Sequence, residues 1–178
     1  GLSRYSTKAG DIGPGLTIHR QTPNEKVIAL AGNPNVGKST IFNNLTGMHQ
    51  HTGNWPGKTV VNAQGRYCAY GHSWILVDIP GTYSLMAHSA EEEVARNFLC
   101  FEKPDAIAVV CDASCLERNL NLVLQTMEIS SRVVLCVNLM DEAAKKGIHV
   151  DPEILSQNLG IPVVTTVARD KKSLDALT

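Results

Sequence analysis

The residues best suited to chemistry form an octapeptide from Gly32 to Ser39. Its sequence, Gly-Asn-Pro-Asn-Val-Gly-Lys-Ser, fits G-x-x-x-x-G-K-[ST] and lies between an apolar run and a helical pattern. Such glycines let several backbone N–H groups point at one anion, and a helix N-terminus adds partial positive charge. We therefore expect a phosphate-binding loop, with Lys38 on the β- and γ-phosphates and Ser39 on Mg²⁺, rather than a turn that binds nothing. The expected phosphate contacts are Gly32, Asn33, Pro34, Asn35, Val36, Gly37, Lys38, Ser39 and Thr40.

A second motif, Asp78-Ile79-Pro80-Gly81, follows the apolar run 74–77 and fits D-x-x-G. This pattern places a carboxylate near the metal and the Gly81 amide near the γ-phosphate. Mg²⁺ dehydrates reluctantly, so we expect Asp78 to hold it through a water. An Asp before Pro-Gly is also a common turn, but the phosphate loop in the same chain favours the nucleotide role. Asp78, Ile79, Pro80 and Gly81 are all predicted nucleotide contacts.

A third motif, Asn138-Leu139-Met140-Asp141, follows the apolar run 133–137. A carboxylate accepts two hydrogen bonds from the N1–H and exocyclic amine of guanine, whereas adenine has no such donor pair. Asp141 is therefore predicted to select GTP over ATP, with Asn138 tying this segment to the phosphate loop. Leu139 stands where a lysine that covers the base is more usual, which predicts weaker nucleotide retention. A helix N-cap is the alternative role for Asp141.

A fourth segment, Thr166-Val167-Ala168-Arg169, follows the last apolar run. Loops of small residues at this position commonly offer a backbone N–H to the guanine O6 atom, and we assign that role to Ala168. The segment equally resembles an ordinary loop between a strand and a helix. The base contacts predicted here are Val167, Ala168 and Arg169.

Composition limits the function classes. The 178 residues carry 16 Lys and Arg against 17 Asp and Glu, so no basic field argues for a nucleic-acid partner. The longest apolar stretches fall far short of the roughly 20 residues of a membrane-spanning helix. The five cysteines are an odd number and contain no C-x-x-C pair, which fits free thiols in a reducing cytoplasm.

The order of elements predicts an α/β fold. Residues 1–25 are rich in Gly, Ser, Thr and Pro and are expected to be a flexible extension, whereas residues 26–178 form one domain. Apolar runs at 27–31, 74–79, 106–111, 133–137 and 161–164 alternate with helical patterns, including a stripe of Leu116, Leu120, Val123, Leu124 and Met127. A hairpin joins residues 60–70 to the run from Trp74. We expect a mostly parallel six-stranded sheet with one antiparallel edge strand and helices on both faces.

Three longer segments are more specific than these motifs. They are Gly53–Val60, Asp78–Leu85 and Asp112–Leu120, and together they resemble the cytoplasmic G domain of the ferrous iron transport protein B family. The resemblance runs from about residue 27 to the end. It implies a Ras-like P-loop GTPase fold, guanine nucleotide (GTP and GDP) with Mg²⁺ as ligands, and slow GTP hydrolysis that regulates Fe²⁺ transport. It also implies a cytoplasmic position in a protein of the cell (inner) membrane, whose helical and transmembrane domains are the partners. On this comparison the final helix looks cut short.

The resemblance also assigns roles to residues. Thr59 matches the threonine that ligates Mg²⁺ and senses the γ-phosphate, so residues 49–59, with Gly57 and Lys58 as nucleotide contacts, become the first switch. Residues 82 to about 92 become the second switch. Asn35 matches an asparagine that holds K⁺ in potassium-stimulated members. The implied catalytic residues are Asn35, Lys38, Thr59 and Gly81, and the implied metal ligands are Ser39, Thr59, Asp78 and Asn35.

The sequence departs from the family pattern at three positions. Lys58 replaces a common Val, Val61 a common acidic residue, and Val167 a common Ser or Thr. Thr82 follows Gly81 where Ras-like proteins carry the glutamine that orients the attacking water, which predicts slow intrinsic turnover.

Other interpretations stay open at this stage. A soluble Era-like GTPase of ribosome assembly or RNA modification is the main alternative, although it would need an RNA-binding module and a basic surface. A nucleotide-binding module without turnover is another, and homo-oligomer formation is left open. His49, His51 and His72 suggest a metal site, but we expect none because a third ligand with fixed geometry is missing. Glu91–Glu93 are expected to be the acidic first turn of a helix.

Overall fold

The computed structural model describes residues 16–167. The strands in this part of the chain are β1 (Lys26–Gly32), β2 (Gln50–Asn54), β3 (Val61–Ala69), β4 (His72–Asp78), β5 (Ala106–Asp112), β6 (Val133–Asn138) and β7 (Val163–Thr165). The helices are α1 (Lys38–Thr46), α2 (Ala90–Asn97), α3 (Leu116–Ile129), α4 (Met140–Lys145) and α5 (Pro152–Leu159). A π-helical turn (Phe98–Glu102) continues α2, and a 3-10 turn (Ala113–Cys115) precedes α3. None of the helices between residues 16 and 167 has both the length and the apolar content to cross a bilayer.

All strands join one sheet in the order β2-β3-β4-β1-β5-β6-β7. Strands β4, β1, β5, β6 and β7 pair in parallel, whereas β3 runs antiparallel to both of its neighbours. Parallel pairing brings the carboxyl ends of β1, β4, β5 and β6 to one edge of the sheet. The predicted motifs follow these strands directly, so the sheet gathers them at that edge, where open α/β sheets bind ligands.

The sheet confirms the predicted α/β class but has seven strands where we expected six. The additional strand is β2, whose sequence Gln-His-Thr-Gly-Asn lacks the apolar alternation that indicates a strand. It forms because β3 offers a free edge of backbone N–H and C=O groups, to which residues 50–54 pair antiparallel. The antiparallel strand β3 therefore lies one place inside the edge.

Helices cover both faces of the sheet, as predicted. On one face, strand residues such as Ala29, Val77 and Val109 pack with Val94 and Phe98 of the α2 segment and with Leu122 and Val123 of α3. On the other face, Leu30, Leu76, Val110 and Cys136 pack against Ile41 and Phe42 of α1. This double burial explains why the parallel strands read as continuous apolar runs.

Residues 16–25, within the segment predicted to be a flexible extension, contact the sheet. Leu16 and Ile18 pack against the main core, and the buried Gln64 amide bonds the backbone of this segment on both sides. Gln64 accepts from the His19 N–H at 2.9 Å and donates to the Thr17 carbonyl at 2.8 Å. These hydrogen bonds hold residues 16–25 to the sheet, although the segment itself forms no strand.

A buried carboxylate anchors the same segment. Glu25 accepts hydrogen bonds from Arg66 Nε at 2.6 Å, from the Ser73 hydroxyl at 2.7 Å and from the Gln21 N–H at 2.7 Å. The hydrogen bond from Arg66 is the largest influence and, against the opposing effect of burial, lowers the pKa of Glu25 to about 2. The same pair raises the pKa of Arg66.

Candidate nucleotide-binding site

The loop between β1 and α1 has the geometry of a phosphate-binding loop. Gly37, immediately before α1, has a φ of 83°, and a Cβ there would collide with the Asn138 side chain. Asn35 also adopts a left-handed conformation, with a φ of 64°. The loop borders an open cleft of about 390 Å³ lined by Asn33, Pro34, Asn35, Val36, Gly37, Lys38, Ser39, Thr40 and Gly81. Of the predicted phosphate-loop contacts only Gly32, which ends β1, does not line it.

Lys38 and Asp78 meet beside this cleft. The Lys38 ammonium group makes an ion pair with the Asp78 carboxylate and donates to the Ile79 carbonyl at 2.6 Å. Lys38 is 8% exposed, so the pair is largely shielded from water. The first two motifs, which lie on neighbouring strands, are thus joined by a charge-assisted hydrogen bond.

The second motif packs directly on the phosphate loop. The Thr82 N–H donates to the Gly32 carbonyl at 3.0 Å. A Cβ on Gly81 would lie 3.3 Å from both N and Cα of Pro34, so a side chain there would press on the loop. This contact places Thr82, the start of the segment predicted to be the second switch, beside the loop that lines the cleft. Ile79 of the same motif is buried, and Pro80 links it to Gly81.

The third motif is tied to the same loop. Asn138 is fully buried, and its Nδ2 donates to the Val36 carbonyl at 3.0 Å. The hydrogen bond that we predicted between these two segments is therefore present. Leu139 has a φ of 59°, and Met140 and Asp141 then open α4. Asp141 therefore lies in the first turn of α4, directly after the carboxyl end of β6.

Thr166 has a structural role that sequence analysis did not assign. Its hydroxyl donates to Asn138 Oδ1 at 3.0 Å, which fixes the orientation of the Asn138 amide. A threonine one residue after a short strand was the available signal, and it is too common to be specific. Of the fourth predicted segment, Val167 is the last described residue, whereas Ala168 and Arg169 lie outside the described residues.

The segment predicted to be the first switch does not line the cleft. Thr59 is exposed in the loop between β2 and β3, and Gly57, Lys58 and Thr59 do not line the cleft. Ser39 and Asn35, by contrast, are exposed at the cleft itself. Two of the four predicted metal ligands, Ser39 and Asn35, thus line the cleft, and a third, Asp78, is paired with Lys38, which also lines it. A hydroxyl, a carboxylate and an amide carbonyl are the hard oxygen donors that suit Mg²⁺ and other hard cations.

Within residues 16–167, no group of three or more His, Cys, Asp or Glu side chains is arranged to hold a metal ion. Burial raises the pKa of Cys111 to about 12 and that of Cys136 to about 11, so both thiols stay protonated. The predicted acidic first turn, Glu91–Glu93, does begin α2.

Comparison with known proteins agrees with this arrangement. The family model described as ferrous iron transport protein B matches residues 26–178. The chain belongs to the ferrous iron transport protein B family. This membership favours the first predicted function over the Era-like alternative. The Fe(2+) transporter FeoB of Salmonella typhimurium is 42% identical over 154 residues, which are 84% of this chain and 20% of that protein. This chain therefore spans about a fifth of the length of that relative.

Solved structures of the family share the fold. The G domain of the T. maritima FeoB iron transporter is 40% identical, with a TM-score of 0.81 over 86% of this chain and 94% of that one. The cytosolic domain of the same transporter in a GDP form is also 40% identical, with a TM-score of 0.82 over 86% of this chain and 60% of that one. This FeoB-family chain therefore has the fold of a G domain.

Proposed function

We propose that this chain is a Mg²⁺-dependent GTPase domain that binds GTP, hydrolyses it slowly, and regulates Fe²⁺ transport by the protein to which it belongs. One observation carries the proposal: the loop after β1, which lines the cleft, is bonded both to the loop after β4 and to the loop after β6. The contacts are Lys38 with Asp78, Thr82 with Gly32, and Asn138 with Val36.

The phosphates occupy the cleft beside residues 33–40. Backbone N–H groups of the loop and the N-terminus of α1 donate to the phosphate oxygens. Lys38 exchanges its bond to Asp78 for one to the β- and γ-phosphates. Ser39 and Thr59, with Asp78 acting through a water, would hold Mg²⁺, which would neutralise charge on the phosphates.

Guanine is selected at the loop after β6. Asp141 accepts from the N1–H and the exocyclic amine, and Asn138 holds the loop at a fixed distance from the phosphate loop. Val167, Ala168 and Arg169 complete the base site. An adenine ring would leave the carboxylate without donors, which penalises ATP.

Hydrolysis depends on positioning. A water attacks the γ-phosphorus, the bond to the β–γ bridging oxygen breaks, and GDP and phosphate leave. The Gly81 N–H and the first switch, through Thr59, orient the γ-phosphate. The site has Thr82 in place of a water-orienting glutamine, so turnover is slow. Asn35 lines the cleft and supplies a carbonyl for K⁺, which adds positive charge beside the phosphates.

Binding and turnover measured together test the proposal. In Mg²⁺ buffer, titration calorimetry should detect GDP and GTP binding but no comparable binding of ADP or ATP. Phosphate release from GTP should be slow and should stop in Lys38→Ala. Equal affinity for guanine and adenine nucleotides would contradict the base assignment, and GTP binding without phosphate release would favour the module without turnover.

The regulatory part needs the full-length transporter. The Lys38→Ala change in that protein should reduce Fe²⁺ uptake into cells, while the amount of transporter in the membrane stays the same. Fe²⁺ uptake that is unchanged by loss of nucleotide binding would contradict the regulatory role.

A further inference from the structure

The loop that carries Thr59 is closed on itself and held at both ends. The Trp55 N–H donates to the Val60 carbonyl at 2.7 Å, and the Lys58 N–H donates to the Trp55 carbonyl at 2.9 Å. Trp55 is 5% exposed and Val60 is 8% exposed, and both belong to the main core. Thr59 is exposed between these two buried anchors. The positions of Trp55 and Val60 therefore determine the position of Thr59.

Trp55 connects this loop to the helix that follows the second switch. Its ring meets that of Phe98 edge-on, with centroids 5.4 Å apart and an interplanar angle of 72°. Phe98 is 2% exposed and begins the π-helical turn that continues α2. Edge-to-face packing is a favoured geometry for aromatic pairs. The indole is thus seated on the far end of α2.

A second contact joins the same two segments. Lys58 Nζ lies 3.3 Å from Oε1 of Glu93, in the first turn of α2. A half-exposed ion pair of this kind is weak by itself. It acts one residue from Thr59, however, and, like the Trp55 contact, it joins the loop to the α2 segment. Lys58 is also one of the positions at which this sequence departs from the common family pattern.

The indole N–H of Trp55 is buried and has no hydrogen-bond partner among the described residues. Apolar packing therefore holds the ring, and its donor is left unsatisfied. A second position in which Nε1 meets water or a carbonyl would recover this lost hydrogen bond. This gain lowers the free-energy cost of displacing the loop, compared with a loop whose buried anchor already makes all its hydrogen bonds.

We propose that Trp55 is a positioning residue for Thr59, and that the Trp55–Phe98 and Lys58–Glu93 contacts make α2 move with the first switch. This proposal rests on the proposed function, because Thr59 can sense the γ-phosphate only if the domain binds GTP. Thr59 reaches the cleft only if its closed loop moves, and the loop carries Trp55 with it. Displacement of the indole then changes the packing of Phe98 and α2.

Tryptophan fluorescence tests the movement directly, because the chain has two tryptophans. In a Trp74→Phe background Trp55 is the only emitter. Its emission and its quenching by acrylamide should differ between Mg²⁺ with GDP and Mg²⁺ with a non-hydrolysable GTP analogue. Thr59→Ala should remove the difference. Identical emission and quenching with both nucleotides would overturn the proposal.

Calorimetry on the same protein separates the two hypotheses. If neither nucleotide binds, the proposed function fails, and the positioning role fails with it. If both bind and Trp55 does not respond, only the positioning role fails.

Kinetics test the positioning role. Trp55→Ala should lower the rate of GTP hydrolysis by about tenfold or more, because displacement of a reacting group by about 1 Å is costly, and should leave GDP affinity within about twofold. Trp55→Phe keeps the ring contact without the unpaired N–H and should restore most of the rate. Parallel losses of hydrolysis and GDP affinity in Trp55→Ala, or an equal loss of rate in Trp55→Phe, would contradict the role.

Hydrogen exchange tests the link to α2 with milder surface variants that keep the core intact. The GTP analogue should change the amide exchange of residues 90–102 relative to GDP in the parent chain. Lys58→Val and Glu93→Gln should reduce this response, and Glu91→Gln, an exposed neighbour in the same turn, should not. A response in residues 90–102 that is the same in all four proteins would overturn the coupling.

Discussion

Asp141 in the first turn of α4 and Leu139 just before that helix lie two residues apart, but only Asp141 has the chemistry to choose a base. A carboxylate accepts two hydrogen bonds, whereas the Leu139 side chain offers only apolar contact with a ring face. Since Leu139 lacks the long stem of a lysine, base affinity here depends more heavily on Asp141. We therefore expect nucleotide choice to depend on this one side chain.

Asp141→Asn should convert guanine selectivity into xanthine selectivity. The amide presents a donor where the carboxylate accepted, which matches the additional carbonyl of xanthine. We expect GTP affinity to fall by about a hundredfold or more, with a gain for xanthosine triphosphate, as measured by titration calorimetry. Glu142→Gln, an exposed neighbour, is the control and should change neither affinity. Unchanged GTP affinity in Asp141→Asn would refute the assignment.

Asn35 offers a second prediction at this scale. Its backbone is in a left-handed conformation at the cleft, and within residues 16–167 its side chain makes no hydrogen bond. Bracing of the loop by this side chain therefore has no contact to support it within the described residues. An amide carbonyl at the cleft is well placed to coordinate a monovalent cation.

We expect K⁺ to raise GTP turnover above its value in Na⁺ at equal ionic strength. Asn35→Ala should remove most of this difference and leave GDP affinity largely intact, because the cation acts on charge that develops in the transition state. Phosphate release in the two salts is the measurement, and Asn121→Ala, on the exposed face of α3, is the control. Equal rates in K⁺ and Na⁺ for the parent chain would exclude the role.

At the scale of elements, the Glu25 contacts predict acid sensitivity. Because the pKa of Glu25 is lowered in the folded state, its contribution is fully present above its ordinary pKa near 4.5 and is lost as the pH falls toward about 2. Glu25→Gln at neutral pH should lower the free energy of unfolding by about 1.5–3 kcal/mol, since hydrogen bonds to a charged group are lost.

Denaturant unfolding at a series of pH values measures this effect. The difference in stability between the parent chain and Glu25→Gln should shrink between pH 4.5 and pH 2. Glu128→Gln, an exposed acid on α3, controls for net charge and should behave like the parent. A pH-independent difference would mean that packing, and not the charge of Glu25, causes the loss.

The regular elements were predictable because each carried its own periodic signal. The apolar runs near residues 27, 74, 106 and 133 all became buried parallel strands, and the run at 161–164 became the short β7. The stripe on α3 was mostly right, but Leu124 is 49% exposed while Leu122 is buried. Neighbouring leucines leave the exact face of a helix undetermined until its packing partners are known.

The first switch was the least predictable element. The polar strand β2 forms only because β3 has a free edge. The sequence of residues 50–54 alone carries no signal for that edge. The burial of Trp55 against Phe98 likewise depends on where α2 lies. The phosphate-loop, D-x-x-G and Asn138 motifs were predictable, by contrast, because their chemistry requires fixed residues at fixed spacing. Thr166 was not singled out, since its role exists only through Asn138.

At the scale of the whole molecule, ligand binding should stabilise the domain. A ligand at a hundred times its dissociation constant adds about 2.7 kcal/mol to the free energy of unfolding. For a chain of this size that corresponds to a rise in Tm of roughly 5–10 °C. GDP with Mg²⁺ should produce this rise in a thermal-shift measurement, and ADP at the same concentration should not. An equal rise with both nucleotides would show that the base loop does not discriminate.

The ion pair between Lys38 and Asp78 has a thermodynamic consequence. An anion that takes Lys38 leaves the Asp78 carboxylate without its countercharge, and a cation at Asp78 releases Lys38. Each event therefore lowers the free energy cost of the other. By linkage the coupling is reciprocal: the factor by which a divalent cation raises nucleotide affinity must equal the factor by which nucleotide raises cation affinity.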